Sequence, residues 1–173
     1  MNATVKAKPA APKPRPASIK TVGIVGAGQM GNGIAHVISL AGYDVRLNDL
    51  KKEAVDKALD NIKRNMTRQV TRALITEQEM QGAIKRISFA PTFKDLTDCA
   101  LVIEAATEDE TVKRKIFAEM SPGLKPSAML ATNTPPISIT RLAAVTGRPE
   151  RFIGMHFMNP VPVMQLVELI RGI

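Results

Sequence analysis

An α/β fold built on a doubly wound, mainly parallel sheet is predicted by three observations. Short apolar runs alternate with longer amphipathic stretches from about Lys20 to Ile173, the order of strand and crossover helix that makes βαβ units. The runs are continuous rather than alternating, as in Val22-Gly-Ile-Val25 and Leu101-Val-Ile103, which suits strands covered on both faces. The first run leads directly into Gly26-Ala-Gly28-Gln-Met-Gly31, a glycine turn placed between a strand and a helix.

The elements follow in order. Thr21–Val25 reads as the first strand and residues 28–41 as a helix that Gly42 ends. Residues 44–49 form a second strand. A long polar-faced helix over 51–74 and another over Glu77–Lys85 come next. A short third strand, 87–90, stops at Pro91, and a fourth spans 100–105. The helix over 111–120 stops near Pro122, and Met129–Thr132 is a fifth strand followed by a short helix near Ile139–Ala144. Residues 152–156 and 165–170 are the last two strands, joined by Asn159-Pro-Val-Pro162 with no helix between them. A parallel pair needs a long crossover, so this pair, if adjacent, is antiparallel.

The glycines identify the fold more closely as Rossmann-type. Gly26 permits a tight turn, Gly28 lets the backbone approach a pyrophosphate, and Gly31 allows close helix–strand packing. The helix amides, with Gln29 and Met30 in the first turn, then face the phosphate along a favourable dipole. Asp49 closes the second strand eighteen residues after Gly31, where an acid accepts from the adenosine ribose and repels a 2′-phosphate. NAD is therefore expected over NADP. The alternative is a glycine-rich turn of another α/β fold, binding FAD or nothing.

Composition narrows the other classes. The net charge of +8 invites a nucleic-acid reading, but Lys6, Lys8, Lys13, Arg15 and Lys20 supply five of those charges and leave +3 for the rest. With four prolines among alanines, residues 1–19 are expected to be a flexible extension. Five Phe, one Tyr and no Trp give no stacking platform for single strands, so no nucleic-acid partner is expected. No apolar run is long enough for a membrane span or a secretory h-region. The single cysteine, Cys99, fits a reducing cytoplasm. His36 and His156 lie far apart without a ligand cluster, so no metal is expected.

His156 ends a predicted strand, at the sheet edge where open α/β folds bind ligands. An imidazole titrates near neutrality and can accept a hydroxyl proton while hydride leaves the same carbon. Glu168, twelve residues on, lies where the neighbouring antiparallel strand would carry it to the other ring nitrogen, orienting the base as a triad acid does. On spacing alone, a core histidine satisfied by a backbone carbonyl accounts for the pair equally well. His36, mid-helix, reads as packing.

The chain resembles the NAD-binding domain of the short-chain L-3-hydroxyacyl-CoA dehydrogenase family, which includes bacterial 3-hydroxybutyryl-CoA dehydrogenases. The resemblance runs from about Lys20 to Ile173. It is carried by Val25-Gly-Ala-Gly-Gln-Met-Gly31, Glu104-Ala-Ala-Thr-Glu108, Thr132-Asn-Thr134, His156-Phe-Met-Asn-Pro-Val-Pro162 and Leu166-Val-Glu168. It implies that His156 is the general base and Glu168 its partner. It also implies that Asp49, Glu108, Lys113 and Asn133 contact NAD, with Asn159 near the nicotinamide, and that Asn65 and Arg72 contact CoA. The substrate implied is a 3-hydroxyacyl-CoA, oxidised to the 3-ketoacyl-CoA; an NAD-binding module without catalysis and a sister dehydrogenase of free hydroxy acids are the alternatives. Two departures stand out. Pro135 and Pro136 occupy the place of two family serines, the first of which hydrogen-bonds the reacting oxygen, so weakened activity is expected. The family also continues into a helical domain that forms the dimer and closes the pocket, and this chain is expected to be the cofactor half.

Overall fold

A computed structural model describes residues 19–134 and 136–173. All of the expected N-terminal extension except Ile19 lies outside these residues, as does Pro135. The elements are β1 (Thr21–Val25), α1 (Gln29–Leu40), β2 (Asp44–Asn48), α2 (Lys52–Thr71), α3 (Glu77–Lys85) and β3 (Ile87–Phe89). They continue as β4 (Leu101–Glu104), α4 (Glu110–Met120), β5 (Met129–Thr132), α5 (Ile139–Ala144), β6 (Phe152–Phe157) and β7 (Val167–Ile170). Among the described residues the strands form one sheet in the order β3-β2-β1-β4-β5-β6-β7. Pairing is parallel throughout except between β6 and β7, which is antiparallel as the short Pro-rich connection requires.

Successive strand residues point to opposite faces, and this sorts the core into two layers. Val22 and Ile24 of β1, Val45 and Leu47 of β2 and Leu101 and Ile103 of β4 pack with Ile34, Val55, Ile62 and Met66 of α1 and α2. Val25, Val102 and Leu130 point the other way, to Phe117 of α4 and Leu142 of α5. Phe117 and Phe152 meet edge to face, centroids 4.9 Å apart. Cys99 lies within this second layer, where burial pushes its thiol up to about 11.

Two boundaries differ from expectation by more than one residue, each for a local reason. The long helix stops at Thr71 rather than at 74, because Ala73 takes a positive φ of 54° and Leu74 swings out to 67% exposure. The last strand begins at Val167 rather than 165, because pairing with β6 ends at Phe157↔Val167. Gly42, at φ 94°, terminates α1 as read from the sequence.

His36 packs between α1 and α2 at 1% exposure, its Nε2–H donating to Gln69 Oε1 at 2.9 Å. Its Nδ1 has no hydrogen-bond partner among the described residues. Burial holds the ring below the ordinary imidazole value, and the Gln69 bond offsets part of that. The folded chain therefore favours neutral His36, whereas the unfolded chain takes up a proton below about pH 6.5. Stability is expected to decline as pH falls from there towards the lower folded value. Melting curves between about pH 8 and 5 check this, and His36→Gln should flatten the upper part of the decline.

Candidate functional site

The C-terminal ends of β1, β2, β4, β5 and β6 share one edge of the sheet, and strand order reverses between β1 and β4. That reversal opens a crevice of the kind in which α/β folds hold nucleotides. Each glycine of the loop has its own reason to lack a side chain. A Cβ on Gly26, itself at φ 101°, would lie 2.6 Å from Ala106 Cα, and one on Gly31 would lie 1.7 Å from the Gly26 carbonyl oxygen. A Cβ on Gly28 would meet nothing within 4 Å. The space over Gly28 is thus open, and the α1 amides beyond it have no side-chain cap, leaving donors for an anion. Asp49 accepts from Ala27 N at 2.8 Å and from Lys51 N at 3.2 Å. It shapes the loop from the end of β2 as well as presenting a carboxylate there.

The ends of β4 and β5 are joined by a buried charge network. Lys113 Nζ of α4 donates to both oxygens of Glu104, at 2.9 and 2.7 Å, and neither side chain has any exposed surface. Thr132 Oγ1 and Ala106 N complete the set, each donating to Glu104 at 2.8 Å. Asn133 N donates to the Glu104 carbonyl, and Asn133 Oδ1 accepts from Phe157 N at 2.8 Å. Exposed Glu108 accepts from Thr134 Oγ1 at 2.7 Å.

His156 and Glu168 are direct cross-strand partners in the β6–β7 register. Their contact is His156 Nδ1 to Glu168 Oε2, 2.9 Å, with the imidazole 18% and the carboxylate 49% exposed. An ionised carboxylate only accepts, so Nδ1 carries the ring proton and Nε2 keeps a lone pair. His156 borders a recess of ≈ 320 Å³ with Met30, Glu108, Asn133, Pro136 and Asn159. Gln29 Nε2 donates to Asn159 Oδ1 at 3.2 Å, tying the first turn of α1 to the turn after β6. A histidine oriented by a carboxylate thus sits beside an anion-ready glycine loop.

Residues 21–173 match the family described as 3-hydroxyacyl-CoA dehydrogenase, NAD binding domain. The chain belongs to that family. It is 59% identical over 157 residues to the 3-hydroxybutyryl-CoA dehydrogenase of Bradyrhizobium diazoefficiens, covering 91% of this chain and 54% of the relative. It is 44% identical over 155 residues to a probable 3-hydroxybutyryl-CoA dehydrogenase of Bacillus subtilis, covering 90% and 54%. The crystal structure of (S)-3-hydroxybutyryl-CoA dehydrogenase from Ralstonia eutropha superposes with a TM-score of 0.88 at 47% identity, covering 90% of this chain and 55% of that one. The chain spans about half the length of the curated relatives it matches.

Within this 3-hydroxyacyl-CoA dehydrogenase fold the expected residues divide. Gly26, Gly28, Gln29, Met30, Gly31 and Asp49 gather at the glycine loop, and Glu108, Asn133, His156 and Asn159 around the recess. Lys113, expected to touch the cofactor, is sealed from solvent and pairs with Glu104. Asn65, half-buried on α2, and Arg72, exposed at its C-terminus, do not border the recess. Pro136 does, and brings no hydroxyl to it. Gly33 was not singled out from the sequence, yet a Cβ there would lie 2.9 Å from Val161 Cβ, so α1 seats the Pro-rich turn directly. Its signal was a further glycine two residues past the fingerprint, on the face of α1 that has to be packed.

Proposed function

We propose that this chain is the cofactor-binding half of an NAD-dependent 3-hydroxyacyl-CoA dehydrogenase, with His156 as general base and Glu168 as the carboxylate that orients it. The observation that carries the reading is the 2.9 Å contact between them beside the glycine loop. With Nδ1 held by Glu168, Nε2 takes the proton of a substrate hydroxyl. The open space over Gly28 and the uncapped α1 amides fit a pyrophosphate, and Asp49 fits a ribose diol. NAD, when bound, supplies the hydride acceptor. Asn133 and Asn159 offer amide groups at the recess wall. A short-chain acyl-CoA is the substrate class supported by relatives named 3-hydroxybutyryl-CoA dehydrogenase, and a homodimer formed through a second domain is the assembly proposed for the whole enzyme.

Two measurements test this. In the complete two-domain enzyme, NADH should be consumed with acetoacetyl-CoA and not with free acetoacetate; equal rates would replace the thioester by a free acid as substrate. In this chain alone, Asp49→Asn should weaken NADH about tenfold or more, the scale of one charge-assisted hydrogen bond, and narrow its preference over NADPH. Asparagine retains an acceptor for Ala27 N, so the comparison isolates the charge. Unchanged selectivity in a fluorescence titration would remove Asp49 from the ribose site.

A further inference from the structure

We propose that Glu104 is a positioning residue for the cofactor site, fixing through one buried carboxylate the glycine-loop contact, Glu108 and Asn133 together. The proposal rests on the NAD-binding reading above and adds to it a residue that touches no ligand. Glu104 is 0% exposed and receives four hydrogen bonds from three different segments: two from Lys113 of α4, one from Thr132 at the end of β5 and one from Ala106 N after β4. Each segment carries part of the site. Ala106 backs the glycine loop so closely that a Cβ on Gly26 would lie 2.6 Å from its Cα. Glu108 lies two residues past Ala106, just ahead of α4, and Asn133 directly follows Thr132.

Stability alone does not account for this arrangement. A buried ion pair is often replaced by apolar residues of similar volume with no loss of stability, because desolvating two charges costs as much as their attraction returns. What an apolar cluster cannot supply is direction. Four hydrogen bonds converging on two oxygens set the relative placement of three segments, whereas leucine and methionine would fill the same volume without fixing any of them.

The test compares stability with affinity in this chain. Glu104→Gln strands the Lys113 charge and is expected to unfold, so it decides nothing by itself. The decisive protein replaces the whole network by apolar groups: Glu104→Leu, Lys113→Met and Thr132→Val together. It should melt within several degrees of wild type yet bind NADH about tenfold more weakly, the equivalent of one misplaced hydrogen bond. Thr132→Val alone, which removes one donor from Glu104 Oε2, should weaken NADH about two- to fivefold. Wild-type affinity in the folded triple variant overturns the proposal. If that variant does not fold, Thr132→Val decides, and unchanged affinity there overturns it. A wild-type chain that fails to bind NADH refutes the cofactor reading itself, and this inference with it.

Discussion

Replacing His156 by alanine in the two-domain enzyme is expected to lower kcat by about 10²–10⁴-fold, the range typical of a lost general base. NADH affinity should change by less than about twofold, since the base acts in the transition state and the glycine loop sets cofactor binding. The geometry gives the reason. Nδ1 is committed to Glu168 at 2.9 Å, so the lone pair on Nε2 is the group in this ring that can receive a proton. Glu168→Gln keeps the side chain's shape but replaces the carboxylate with a neutral amide, which holds a protonated ring less well. Its turnover should therefore fall by less than that of His156→Ala, again with cofactor affinity kept. A His156→Ala enzyme turning over at close to the wild-type rate would sink the mechanism.

The second large effect separates two kinds of glycine in one loop. Gly31→Ala drives a methyl group to 1.7 Å from the Gly26 carbonyl oxygen, so backbone must move. A cost of about 1–3 kcal/mol or more is expected from overpacking, which lowers the melting temperature by about 2–4 °C per kcal/mol for a chain of this size. NADH binding should be lost with it. Gly28→Ala meets open space and an extended backbone at φ −65°, so stability should stay within about 1 kcal/mol of wild type. NADH affinity should nevertheless fall, because the added methyl occupies the space reserved for phosphate. Thermal melts paired with NADH titrations of both variants check this. A Gly28→Ala chain that binds NADH normally would move the phosphate elsewhere.

How much of this was legible in the sequence depends on the range of the interaction. Thr21–Val25 and Met129–Thr132 were readable to the residue, because apolar runs bounded by glycine, proline or a polar break are local signals. The antiparallel β6–β7 pair followed from the missing crossover, and with it the placement of Glu168 opposite His156. The buried network was not legible. Lys113 sits in Glu110-Thr-Val-Lys-Arg-Lys115, which reads as a solvated helix face, and only packing of α4 on the sheet shows which lysine turns inward. Glu104 did carry a trace: a lone acid closing the run Leu101-Val-Ile103 has to find a partner if the strand is buried. The Gln29–Asn159 bond spans 130 residues and leaves no local mark at all.

The place of β7 has a consequence of its own. Among the described residues it is the outermost strand, paired with β6 on one side and with no strand on the other, and its Val167 and Leu169 are 39% and 64% exposed. Leu166, Val163 and Met164 extend the apolar surface at 55%, 73% and 45%. An open edge of this kind invites strand-to-strand association between copies. The same strand carries Glu168, so the partner of the proposed general base lies on the edge strand of the sheet. Fraying of four residues would leave His156 in place and its carboxylate partner adrift, so whatever shelters that edge also holds the pair together.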